Sequence, residues 1–170
     1  AKADRAGFAV GLVQTNLVEL SCLAADSFDC AACLFSTLGM VRGVDARHRV
    51  LENAWRILRP GGRLVLHVHN RWFNIWNVAG RRWLLADSLR RATSREAGDR
   101  CMPAHQGIAN LTLHLFSRRE AVRLLQSARF RILEVRPISL RRDGRLRFPA
   151  WFGWMRAYGY LLAAEKPASG

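Results

Sequence analysis

Apolar residues in this chain fall in short bounded runs, and that rhythm is the first guide to its fold. Residues 8–13, FAVGLV, follow the charged piece Lys2 to Arg5, a pattern that predicts the tail of a helix entering a buried strand. A turn at Asp26-Ser27 leads into a second run, residues 28–35, which ends in Ser36-Thr37-Leu38-Gly39. From Asp45, read as an N-cap, Val50, Leu51, Ala54, Trp55 and Leu58 recur at helical spacing. Arg47, Arg49, Glu52 and Arg56 take the opposite side. Pro60-Gly61-Gly62 stops that helix, and residues 64–68 then run apolar without alternation, as a strand covered on both faces does.

Further along, Ser117-Arg118-Arg119-Glu120 has the S-x-x-E form of a capping box, and Ala121, Val122, Leu124, Leu125 and Ala128 build an amphipathic helix behind it. Residues 130–135 predict a strand ended by Pro137, and residues 158–164 a last strand closed by Glu165-Lys166-Pro167. Strands alternating with helices imply an α/β fold, a mostly parallel sheet with helices on both faces. Residues 71–110 break the rhythm and are too long for an ordinary connection. Trp72, Trp76, Ala79 and Trp83 fall on one helical stripe among Arg71, Arg81, Arg82, Arg90 and Arg91, and residues 93–103 are polar and expected to be mobile. The whole, residues 1–170, reads as one domain with an inserted amphipathic element at 71–110.

Composition narrows the function. Half of the 170 residues are hydrophobic, enough for a real core. The balance of 27 basic against 13 acidic residues gives +14, nearly all of it arginine, a surface that attracts anions. The arginines are dispersed over predicted helix faces and loops, with short doublets only, which argues against a dedicated nucleic-acid face. Cys22, Cys30, Cys33 and Cys101, without a secretion signal at the N-terminus, fit a reducing cytoplasm. Cys30 and Cys33 lie three apart on a predicted strand and point to opposite faces, so no metal site is expected there.

Phe28-Asp29, the run into Phe35-Ser36-Thr37-Leu38-Gly39, the helix ending in LRPGG, the strand beyond it and the terminal LLAAEKP together resemble the carboxyl-terminal two-thirds of a class I S-adenosylmethionine-dependent methyltransferase. The resemblance implies a Rossmann-like sheet, mostly parallel with an antiparallel C-terminal strand, and S-adenosyl-L-methionine as cofactor. It places Asn16 and Leu17 at the adenine, although the family more often has Asp there, and Phe35, Ser36 and Thr37 at the methionine part and the reacting centre. Open parallel sheets bind ligands beyond the carboxyl ends of their strands. His67 and His69 share a strand face on that edge, and either is a candidate base, while Asn70, Trp72 and Trp76 would shape the acceptor pocket.

The glycine-rich loop after the family's first strand and the acidic end of its second would precede Ala1, so the resemblance implies a fragment with its N-terminal strands missing. A fragment of this kind is expected to aggregate and to hold the cofactor weakly when expressed alone. Ala128-Arg129-Phe130 stands where the family usually has glycine, and Arg129 in a left-handed conformation would cost roughly 1 kcal/mol. Methyl transfer to a small-molecule acceptor is the leading expectation. Two others stand beside it: a non-catalytic or membrane-surface-binding relative, docking through residues 71–91, and a nucleic-acid methyltransferase.

Overall fold

The computed structural model describes residues 10–91, 94, 97–101 and 111–168. A four-stranded sheet is built from β1 (Phe28–Cys33), β2 (Leu58–His69), β5 (Arg131–Ile138) and β6 (Gly159–Glu165), in the order β1-β2-β6-β5. β1 and β2 pair in parallel and β6 runs antiparallel to both of its neighbours, so β1, β2 and β5 share one direction. Between β1 and β2 lie a short α1 (Thr37–Met40) and the long α2 (Val44–Ile57). The inserted region holds a 3-10 turn (Arg71–Trp76), α3 (Val78–Arg90) and a small hairpin of β3 (Asp99–Cys101) with β4 (Thr112–His114). α4 (Arg118–Ser127) precedes β5, and a single turn α5 (Gly153–Arg156) precedes β6.

β2 sets the layering. Leu64, Leu66 and Val68 are fully buried with Leu38, Val50 and Leu51 from the α1–α2 side and Leu125 from α4. Val65, His67 and His69 turn to the other face and are only half-buried. Helices on both faces were expected; among the described residues they cover one. The reason is handedness. The crossover from β1 through α2 to β2 and the later one through α4 to β5 step across the sheet in the same direction, and right-handed crossovers of the same sense place their helices on the same side.

Other expectations need correction. Residues 10–13 form no strand: Val10, Leu12 and Val13 are exposed, and the segment pairs with no described strand. Asp45 is not the N-cap of α2; Gly43 holds that position and Asp45 lies in the first turn, where its charge favours the helix dipole. Pro60-Gly61-Gly62 does not follow the helix as a plain stop. α2 ends at Ile57, and the glycines form a bulge inside β2, whose register jumps from Phe28↔Leu58 to Cys30↔Arg63. Gly61 has φ 79°, and a Cβ on Gly62 would lie 2.7 Å from the Arg59 carbonyl oxygen. Pro137 does not end β5, which continues to Ile138; β5 is an edge strand, where a missing N–H is tolerated.

The tryptophan stripe is also divided. Asn77 adopts an extended conformation that separates the 3-10 turn from α3, and its side chain caps α3 by accepting from the Gly80 amide at 2.6 Å. Trp72 and Trp76 therefore sit on the turn and Trp83 on the helix, where Gly80, Leu84 and Asp87 form the buried side. Asp99–Cys101 pairs with Thr112–His114 in the stretch expected to be mobile; residues 102–110 lie outside the described residues. The capping box at Ser117 and Glu120 is formed in full. Arg129 has φ 70°, as the missing glycine required, and its guanidinium lies 3.8 Å from the Trp55 ring centre.

Candidate active-site lip

Three strand ends meet at the carboxyl edge of β1 and β2. Phe35 (φ 55°) and Ser36 (φ 58°) are consecutive left-handed residues, a turn that costs roughly 1 to 2 kcal/mol per residue and is typical of functional loops. That turn drives Ser36 inward, where it is fully buried and its Oγ accepts the His69 backbone N–H at 3.2 Å. It leaves the Phe35 ring 79% exposed above the edge. Thr37 donates its hydroxyl to the Leu34 carbonyl at 2.6 Å and so fixes the start of α1. The resemblance expected Phe35, Ser36 and Thr37 at this edge, and the Ser36 contact sets their turn beside the end of β2.

His67 and His69 do share a face, with ring centres 5.2 Å apart. His69 also packs on Tyr158, 4.7 Å away, at the start of β6. Burial, and then the neighbouring His67, push the His69 imidazole down to about 4; burial lowers His67 as well. Both rings are therefore neutral near pH 7. The His67 Nε2 is buried without a hydrogen-bond partner among the described residues, beside Gly159, where a Cβ would approach it to 2.9 Å. Tyr158 carried no signal of its own in the sequence, where it opens the run expected as the last strand.

Asn16 and Leu17 lie in the segment before β1. The Asn16 Oδ1 accepts from the Val18 amide at 3.1 Å, while Asn53 holds the Leu17 and Val18 carbonyls. Leu17, Leu34 and Thr37 line one apolar cleft of about 230 Å³ against the free edge of β1, so two of the five expected cofactor residues share a cavity.

Asn70 is buried, and its amide is engaged inside the chain: Nδ2 donates to the Trp154 and Ala157 carbonyls and Oδ1 accepts from the Trp72 amide. Its observed work is to hold the lip in place. Trp72 packs edge-on against Trp154 at 5.4 Å, and Trp76 donates its indole N–H to the Met155 carbonyl while remaining 56% exposed.

Behind Trp72 a charged network pins the insertion. Arg71 pairs with Asp87 at 2.6 Å, both fully buried; Asp87 also takes the Gly98 amide at 2.5 Å and Arg91 at 3.3 Å. Arg91 reaches Glu120, and His114 sits between Asp99 (2.6 Å) and Glu120 (2.7 Å). Burial raises the Glu120 carboxyl, but the hydrogen bond and charge of His114, with Arg91 and the Ser117 amide, outweigh it and hold the group below its ordinary value. The arginines and acids of this network are far apart in sequence, and only the fold assembles them.

Comparison with known proteins agrees with the fold. The model of a methyltransferase domain family matches residues 1–66, a stretch that includes the lip turn at Phe35-Ser36-Thr37. A solved S-adenosylmethionine-dependent methyltransferase of Methanosarcina mazei is 24% identical over 98% of this chain and 76% of its own, with TM-score 0.68. The 1,6-didemethyltoxoflavin-N1-methyltransferase of Burkholderia thailandensis, solved with its acceptor and S-adenosylhomocysteine, is 20% identical over 98% of this chain and 55% of its own, TM-score 0.59. A [4+2]-cyclase shares the fold at 21% identity over 99% of this chain and 60% of its own, TM-score 0.59. No curated protein matches. The resemblance to class I S-adenosylmethionine-dependent methyltransferases is met in the matched segment and in the fold, and the chain spans between about half and three-quarters of these solved relatives.

Proposed function

We propose that this domain transfers the sulfonium methyl group of S-adenosylmethionine to a small-molecule acceptor. The observation that carries the reading is the strained Phe35-Ser36 turn locked to the end of β2 through the Ser36 hydroxyl. Strain of that kind persists where a loop must approach a ligand, and it lies at the strand edge where open sheets of this class bind. The apolar cleft of Leu17, Leu34 and Thr37 would take the flat adenine, and Phe35 to Thr37 would hold the methionine part. The cofactor supplies an activated methyl on a cationic sulfur.

The chain's own residues then position and exclude. Neutral His67 and His69 put no competing positive charge beside a sulfonium, and the low basicity of His69 suits it to accept a hydrogen bond from the acceptor more than to hold its proton. Trp72 shields the approach, so catalysis rests mainly on in-line placement. Titrating the protein with S-adenosylhomocysteine in a calorimeter tests the reading. Saturable binding abolished by Leu17→Trp, which fills the cleft, is the expected result; absence of saturable binding defeats it.

A membrane-facing role has one observation in its favour. Trp76, Val78, Leu85 and Leu89 are exposed on the insertion with Arg81 and Arg82 beside them. No described helix is long and apolar enough to cross a membrane, so this surface would lie on a bilayer. Salt-sensitive sedimentation with anionic vesicles, lost on Trp76→Arg, would establish it.

A further inference from the structure

A second cavity, of about 520 Å³, opens next to Trp72 on the side away from the two histidines. Its walls are four guanidinium groups, Arg71, Arg91, Arg118 and Arg119, and the two indoles Trp72 and Trp154. Two carboxylates stand nearby, and both are committed. Asp87 serves Arg71, Arg91 and the Gly98 amide; Glu120 serves His114, Arg91 and the Ser117 cap.

Two independent features leave this cavity short of negative charge. First, Arg71 is 96% buried at its side chain, yet its Nε has no hydrogen-bond partner among the described residues. Burial and the charge of Arg91 together push the Arg71 guanidinium down, the response of a cation with too little counter-charge around it. Second, Arg118 and Arg119 occupy the first two positions of the ten-residue α4. A helix start already carries partial positive charge and free amide donors, so basic residues are unfavourable there unless an anion is shared between them. Neither has an acidic partner among the described residues.

We propose that this cavity is an oxyanion subsite that takes the phosphate or carboxylate end of a flat, apolar ligand. The guanidinium forks and the α4 amides would grip the anion, and Trp72 with Trp154 would flank the body. Its assignment to the methyl acceptor rests on the function proposed above, since Trp72 follows the lip by two residues and ties it to the cavity.

The test separates the two ideas. Calorimetric titrations of the protein with inorganic phosphate and, separately, with benzoate are expected to show saturable binding to at least one, the tighter probe identifying the anion class. Arg118→Ala/Arg119→Ala should weaken that binding about tenfold or more, and Arg71→Lys, which keeps the charge but loses the fork, should weaken it too. Arg141→Ala/Arg142→Ala, an exposed pair outside the cavity, should leave it unchanged, and S-adenosylhomocysteine binding should be the same in the Arg118/Arg119 variant as in the parent. Absence of saturable anion binding, or equal loss in both arginine doubles, overturns the subsite. Anion binding without S-adenosylhomocysteine binding removes the acceptor assignment and leaves the subsite standing.

Discussion

Arg71→Met removes the cation of the most buried ion pair among the described residues. Asp87 is wholly inaccessible and is left with Arg91 at 3.3 Å and the Gly98 amide at 2.5 Å. Deleting one partner of a buried pair costs about 3 to 5 kcal/mol because the other charge stays desolvated. A retained charge-assisted hydrogen bond recovers some of this, about 1.5 kcal/mol or more. The expected loss is therefore about 2 to 3 kcal/mol. In a urea melt followed by tryptophan fluorescence, with a slope of roughly 1 to 3 kcal/mol per molar, the midpoint should fall by about 1 M or more. Adding Asp87→Leu should bring coupling of about 1 kcal/mol or more, since the stranded charge goes with it. Raised salt should change the parent little, because the pair is shielded from ions. A single mutant within about 0.5 kcal/mol of the parent, or strict additivity in the double, would show that the pair does not pin the insertion.

Three further outcomes follow from particular contacts. His69 has a folded value near 4 against an ordinary 6.5, so the unfolded chain binds its proton first. Stability is complete above about pH 6.5 and declines as pH falls toward 4, by on the order of 2 kcal/mol after screening, and pH-dependent melts of His69→Leu should lose that slope. Gly98→Ala should cost about 2 kcal/mol or more by denaturant titration. Its φ is 114° and the new Cβ would meet the His114 ring at 2.6 Å, a ring held on both nitrogens and unable to yield. Ser117→Ala opens the capping box and should cost about 1 kcal/mol in the same assay.

Much of this architecture was legible wherever a local rule decided it. The later part of β2 was readable because residues 64–68 are interrupted by His67 alone, and α4 because Ser117 and Glu120 satisfy each other within four residues. Residues 10–13 misled for the opposite reason: an apolar run states that burial is wanted, and only a neighbouring strand edge can supply it. The lip was placed from Phe35-Ser36-Thr37 before its strain was known, since left-handed backbone at Phe35 leaves no mark in residue type. The arginine cavity was illegible. Arg71, Arg91 and Arg118-Arg119 looked dispersed along the chain, and the 3-10 turn and the hairpin that gather them depend on Asp87 meeting Gly98, a pairing that no periodicity announces.

Asn70 has one consequence that reaches past its own surroundings. By gripping the Trp154 and Ala157 carbonyls and the Trp72 amide together, it makes the rim of the sheet, the indole wall and the segment before β6 a single lever. Loss of that one amide would therefore release all three at once.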